Sequence, residues 1–251
     1  MYFEKVALVV SQHKLSGVTV TMKNIITAIL MSLPVSLSAA PSMSVFTVNA
    51  QNPAAYVDWA GKSGPAIGEA ISSTTAGVCI PTAGFEQPGD LFLYYLFPSA
   101  EVGFASATAP MTNATVISEI GKLQTERTVR LVDSYTIMNP TEPNFEIGQS
   151  FANWNIIVDT DSPAEYVSEL NAFKAAAVEN GFEDVAMVAY GIDTGEHAGK
   201  VMASIQAPTP ERLGAFIDAR SSKWAQKHLK KFAKIREYEH AYTMVCNVIQ
   251  A

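Results

Sequence analysis

Near the C-terminus, Tyr238, His240, Tyr242, Met244 and Cys246 alternate with Glu237, Glu239, Ala241, Thr243 and Val245. A period of two marks a β-strand, so the first set shares one face. An imidazole among phenols can take or give a proton near neutral pH. The segment has a counterpart 107 residues upstream: Tyr135-Thr136-Ile137-Met138 matches Tyr242-Thr243-Met244-Val245, and His240 then falls on Asp133. If two halves pack with pseudo-twofold symmetry, Asp133 and His240 occupy equivalent places and are candidates for a catalytic base with its orienting carboxylate. The plainer alternative is a half-buried His240 hydrogen-bonded to a tyrosine or to backbone.

Other chemistries lack their residues. Beyond the first forty positions only His197, His228 and His240 occur, none at metal-ligand spacing from another, so no metal is expected and no cofactor is indicated. There is no Gly-x-Ser-x-Gly and no His-Glu-x-x-His. Ala60-Gly61-Lys62-Ser63 looks like the end of a phosphate loop, but Tyr56 stands where its first glycine belongs. Aromatic residues crowd the first half at Phe92, Tyr94, Tyr95 and Phe97, with Trp59 before them. Trp59, Tyr94, Tyr135 and Tyr242 are candidates to line a pocket for a small apolar or aromatic ligand; core packing is the alternative.

The stretch Arg220 to Arg236 holds Arg220, Lys223, Lys227, Lys230, Lys231, Lys234 and Arg236 and no acid, with Trp224, His228, Phe232 and Ile235 at helical spacing. Lys223, Lys227, Lys230, Lys231 and Lys234 form a candidate anion or membrane-surface patch; a solvated face answering acidic neighbours is the alternative. Charge complementarity with the acidic remainder also allows a homo-oligomer.

The chain has 251 residues and a net charge of −7. Met22-Lys23-Asn24, the apolar run Ile25 to Leu37, and Ser38-Ala39-Ala40 read as a secretory signal peptide behind an upstream extension, so residues 1–40 are expected to be removed and the protein to be periplasmic or secreted. Without Lys5, Lys14, Lys23 and Glu4 the net charge becomes −9, which argues against a nucleic-acid partner. No other segment is long and apolar enough to span a membrane. Two cysteines remain, Cys79 and Cys246, which an oxidising compartment would allow to pair and a core would equally hold reduced.

The elements that position these side chains come in two copies. Pro53-Ala54-Ala55-Tyr56-Val57 recurs as Pro163-Ala164-Glu165-Tyr166-Val167, and Pro98-Ser99-Ala100-Glu101 as Pro208-Thr209-Pro210-Glu211, both shifted by 110. The first copy, 44–139, reads as strands Val45–Asn49, Gly77–Ile80, Leu91–Phe97 and Thr128–Met138. A helix from Pro53, capped by Asn52, is expected to bend or break at Gly61, Gly64, Pro65 and Gly68. Helical pieces after Ser99 precede the last strand. A linker spans 140–150. The second copy, 151–251, reads as strands Trp154–Asp159, Val185–Tyr190, Lys200–Gln206 and Tyr238–Val248. A helix there opens on a Ser162–Glu165 capping box and stops at Gly181, and further helices open at Pro210 and span Lys223–Ile235. Each copy is β-α-β-β-α-β, a ferredoxin-like order with one bare sheet face, and two copies can bury those faces on each other.

Two such units in tandem, with long last strands, resemble the dimeric α/β-barrel superfamily of antibiotic-biosynthesis-monooxygenase-like and NIPSNAP-like domains over about residues 44–249. The resemblance implies an α+β fold of two ferredoxin-like βαββαβ repeats packed as an intrachain pseudo-dimeric barrel. It carries over no catalytic residue. It further implies that the last strand of one half meets the second strand of the other, which would allow a Cys79–Cys246 disulfide. The function expected is small-molecule binding, or cofactor-independent catalysis of unspecified reaction, in a pocket between a sheet and its helices near Trp59, Tyr94, Asp133 and His240. The competing expectation is a non-catalytic stress-response or surface module that binds an anionic partner through 220–236.

Overall fold

Period-two patterns fold as strands throughout residues 39–139 and 146–251, the part of the chain described by the computed structural model. The expected leader up to residue 38 and positions 140–145 of the expected linker lie outside the described residues. The first repeat runs β1 (Ser42–Ala50), α1 (Pro53–Ala70), β2 (Thr75–Ala83), β3 (Asp90–Phe97), three helical pieces α2 (Ala100–Ala105), α3 (Ala109–Thr112) and α4 (Ala114–Gly121), and β4 (Arg127–Ile137). The second runs β5 (Ser150–Asp159), α5 (Pro163–Glu179), β6 (Ala186–Ile192), β7 (Val201–Ala207), α6 (Pro210–Asp218), α7 (Lys223–Ile235) and β8 (Glu237–Gln250).

The eight strands close into one barrel in the order β1-β3-β2-β8-β5-β7-β6-β4, every neighbouring pair antiparallel. That order makes β1 and β5 run one way and β4 and β8 the other. The pseudo-twofold therefore lies along the barrel axis, and equivalent residues of the two repeats face the same end. The run Leu91–Phe97 is apolar on both faces because both are covered. Leu91, Leu93, Tyr95 and Phe97 pack outward under the helices, while Phe92, Tyr94 and Leu96 point into the lumen with Met43, Tyr135, Tyr190 and Met244. The second repeat packs its own outer core, where Phe173 on α5 meets Trp224, His228 and Phe232 of α7.

Three local expectations are corrected. First, α1 runs unbroken through Gly61, Gly64, Pro65 and Gly68. Its glycines serve a close approach: a Cβ on Gly64 would lie 2.4 Å from Ile249 Cδ1, and one on Gly68 would lie 1.7 Å from Gln250 Oε1. The end of β8 thus packs where any larger residue would block it, and tertiary packing overrides weak helix propensity. Second, Ser162 begins α5 without a side-chain cap bond, whereas Asn52, Ser99, Thr209 and Ser222 each accept from a backbone N–H of their helices. Third, the period of two in β8 fails at its start. The register against β5 pairs Ile157 with His240 and Val158 with Tyr238, leaving Glu239 as a bulge residue. Tyr238 is turned out of the lumen, 58% exposed, and its hydroxyl accepts from Arg236.

Cys79 on β2 stands directly opposite Cys246 on β8, and a disulfide joins them across 167 residues of sequence.

Candidate functional site

The barrel lumen is the site that both repeats build. Its middle is a cavity of about 50 Å³ free volume, walled by Tyr94, Tyr135, Tyr190 and Tyr242 with Met43, Leu96 and Met202. One wall is polar. Asn153 and Asn155 on β5 and Ser204 and Gln206 on β7 face inward at period two. The Ser204 hydroxyl donates to Asn153 Oδ1 at 2.7 Å, and Gln206 Nε2 donates to Ser204 Oγ at 3.4 Å. Sequence reasoning missed this wall; its signal is the polar alternation Asn153-x-Asn155 and Ser204-x-Gln206 inside apolar strands. Two lining residues leave a buried polar atom without a hydrogen-bond partner among the described residues, the Tyr94 hydroxyl and the Asn155 amide oxygen. Such atoms cost free energy in the empty state and mark where a ligand or water would bond.

At one end the lumen opens to a second lobe of about 70 Å³, sharing Val45, Phe92, Tyr135 and Tyr242 with the first. This mouth is framed by the hairpin loops 84–89 and 193–199 and carries Asp133, His197, His240 and Glu196. The antiparallel order explains why Asp133 and His240 arrive together: β4 and β8 run the same way and begin at this end. The expected pair of Asp133 and His240 is nevertheless modified by a third group. His197 stacks on His240, with ring centroids 6.4 Å apart and planes 9° from parallel, and His240 stacks in turn on Tyr242 at 5.6 Å. Burial raises the Asp133 carboxyl above its usual range, partly offset by the charge of His197, with Glu86 adding to the rise. Asp133 is thus coupled to His197, which is in contact with His240. His197 lies in the Gly-rich hairpin loop, and its place beside β4 follows only from the pairing of β4 with β6.

Gly195 brings that loop onto Asp133. Its φ is +93°, and a Cβ there would lie 2.0 Å from Asp133 Oδ1. The lumen tyrosines keep their protons: burial pushes Tyr242 up to about 12 against a lowering hydrogen bond from Asn155, and burial raises Tyr94, Tyr135 and Tyr190 as well. They are hydrogen-bond donors, so proton acceptance falls to the mouth groups.

The remaining candidates sit elsewhere. Trp59 is outside the barrel, in the core between α1 and the sheet, its Nε1 donating to Glu119 O at 2.9 Å. The pocket expected between a sheet and its helices is replaced by the lumen between the two repeats, because closure turns both bare faces inward. On α7, Lys231 donates to Glu169 Oε2 at 2.9 Å, and His228 Nδ1 lies 2.6 Å from Glu169 Oε1. Burial would raise Glu169, but hydrogen bonds from Lys231 and His228 outweigh it and lower its carboxyl. Lys223, Lys227, Lys230 and Lys234 are exposed. Among the described residues no group of three or more His, Cys, Asp or Glu is placed to hold a metal, and no helix is long and apolar enough to cross a membrane.

No family model matches the chain, and no curated protein matches it by sequence. Solved structures do match by fold. A monooxygenase-like protein from Fusobacterium nucleatum superposes with a TM-score of 0.53 at 11% identity, over 84% of this chain and 94% of its own. An anthrone oxidase-like protein gives 0.54 at 11% identity over 84% and 91%. A mutant chlorite dismutase from Candidatus Nitrospira defluvii gives 0.51 at 13% identity over 84% and 93%. Likeness at this identity establishes architecture and leaves the chemistry to the site. The chain has the dimeric α/β-barrel fold, with both ferredoxin-like halves supplied by one polypeptide.

Proposed function

We propose that this chain is an exported protein that binds a small, mainly apolar molecule in the barrel lumen and can move a proton at its mouth without a cofactor. The observation that carries the reading is the pair of unpartnered buried polar atoms, Tyr94 hydroxyl and Asn155 Oδ1, on residues lining a cavity with one polar and one mainly apolar side. A ligand with one apolar ring and one hydroxyl would donate to Asn155 Oδ1 and accept from Tyr94. Size supports a ligand of this kind. A cavity of about 150 Å³ holds benzene; the two adjoining lobes, about 50 and 70 Å³, are together somewhat smaller, which limits a ligand to a single ring and requires the wall side chains to give slightly. The lumen lobes are smaller than the about 300–1,000 Å³ of pockets for drug-sized ligands, so the lumen itself suits a single-ring molecule.

At the mouth, His240 is the candidate proton acceptor, stacked on the lumen residue Tyr242 and on His197, which in turn is coupled to Asp133. Export is supported by the leader-like segment and by the Cys79–Cys246 disulfide, which suits an oxidising compartment. The test is calorimetric titration of the folded chain with phenol. One-to-one saturable binding is expected, and absence of binding at any soluble phenol concentration would overturn the reading.

A further inference from the structure

The arginines of the basic segment are placed differently from its lysines. Arg220 and Arg236 both line an open groove of about 750 Å³ formed by the end of α6, the turn after it, α7 and the start of β8. Both also line a narrow cleft beside Trp154, Tyr166 and Phe232. The Arg220 guanidinium sits 4.8 Å from the centroid of Trp154, and that of Arg236 sits 4.5 Å from the centroids of both Phe232 and Tyr238. Stacking holds the two planes without neutralising them.

Their hydrogen bonds do not neutralise them either. Arg236 donates to the hydroxyls of Tyr166 at 3.1 Å and Tyr238 at 2.8 Å, and its buried Nε has no partner among the described residues. Arg220 donates Nε to the Ile217 carbonyl at 3.0 Å. Elsewhere Arg130 meets Asp90 and Glu86, and Arg212 meets Asp184; among the described residues no carboxylate pairs with Arg220 or Arg236. The acid at the groove is Asp218. The Ser221 hydroxyl and the Gln226 amide are taken up by the Asp218 and Arg220 carbonyls. Arg236 also borders an adjoining groove lined by Asp159, Asp161, Glu165 and Glu237, yet none of these acids nor Asp218 is ion-paired with either arginine among the described residues, so both guanidinium forks keep donors free to meet an oxyanion.

We propose that this groove binds the carboxylate or phosphate of a small molecule between Arg220 and Arg236. Lys227, Lys230 and Lys234, on α7 but outside the groove lining, add long-range attraction and make no specific contact. The site is separate from the lumen, and its failure would leave the lumen reading intact.

The test is calorimetric titration of the full chain at low salt with inorganic phosphate and, separately, with benzoate. Saturable one-to-one binding of at least one probe is expected, and the tighter probe identifies the oxyanion. Arg220→Gln, at the edge of the groove, is expected to weaken binding at least about tenfold, as loss of one charge-assisted fork should, with the circular dichroism spectrum unchanged. The triple variant Lys227→Gln, Lys230→Gln, Lys234→Gln is expected to reduce salt dependence while keeping the site. No saturation by either probe, unchanged binding in Arg220→Gln, or equal loss in the lysine variant would each overturn the proposal.

Discussion

The two seams that join the repeats are built differently. At one, β2 lies along β8 from Ala76 to Ala83, Cys79 is bonded to Cys246, and the Thr82 and Thr243 hydroxyls meet at 2.7 Å. At the other, β4 meets β6 only from Tyr135 to Ile137. Beyond that short ladder single backbone bonds, Met138 N–H to Ala189 O at 2.8 Å and Asp193 N–H to Ser134 O at 2.9 Å, are joined by side chains. Asn139 Oδ1 accepts from Ala189 N–H at 2.6 Å and its Nδ2 donates to Met187 O; at the opposite end Thr194 Oγ1 accepts from Ser134 N–H. Asp133 and His197 sit where this ladder stops. A duplicated chain can let its halves diverge: one seam is long and locked covalently, and the other keeps only a short ladder, beside which a loop and titratable groups enter the barrel wall.

The largest effect should come from the locked seam. Replacing Cys79 and Cys246 with Ala together is expected to lower unfolding free energy by about 5 kcal/mol, the chain entropy released by opening so long a loop; guanidinium titration of variant and wild type measures it. Less should follow at the short seam. Asn139→Ala leaves the buried N–H of Ala189 unpaired and is expected to cost about 1–3 kcal/mol, read by the same titration. The smallest effect is at Asp133 and has a sign. Burial raises its folded pKa above the ordinary 3.8, so the folded state holds its proton more tightly, and the associated stability is present below the unfolded pKa and lost as pH rises through the folded one. Asp133→Asn should therefore melt higher than wild type at pH 7, and the advantage should vanish below about pH 3.8. A variant that melts lower at pH 7 would mean that the charged carboxylate is held by His197 more strongly than burial opposes it.

Much of this architecture was legible in residue patterns. The repeat and the element order follow from period-two strands, Pro-opened helices and near-constant offsets, and they lead to a barrel once the bare faces must be covered. Tyr135, Asp133, His240 and Tyr242 line the lumen and its mouth because the shared offset puts β4 and β8 in equivalent places, and Tyr94 joins them from β3. What escaped depends on contacts between distant segments. The bulge at Glu239 comes from the pairing with β5, so alternation alone could not show that Tyr238 leaves the lumen. The glycines of α1 looked like helix breakers because Ile249 and Gln250, the residues they make room for, lie almost two hundred positions later. His197 acquires its role only when the 193–199 loop folds over β4. Trp59 offered no sign of which side of the sheet its helix would cover.

Ligand binding in the barrel lumen is tested by phenol titration of Val45→Phe beside wild type. Val45 lines both lobes, and the added ring would fill the space between them. Saturable phenol binding is expected in the wild type and none in the variant, with the same circular dichroism spectrum. Equal phenol affinity in the two proteins would contradict binding in the lumen.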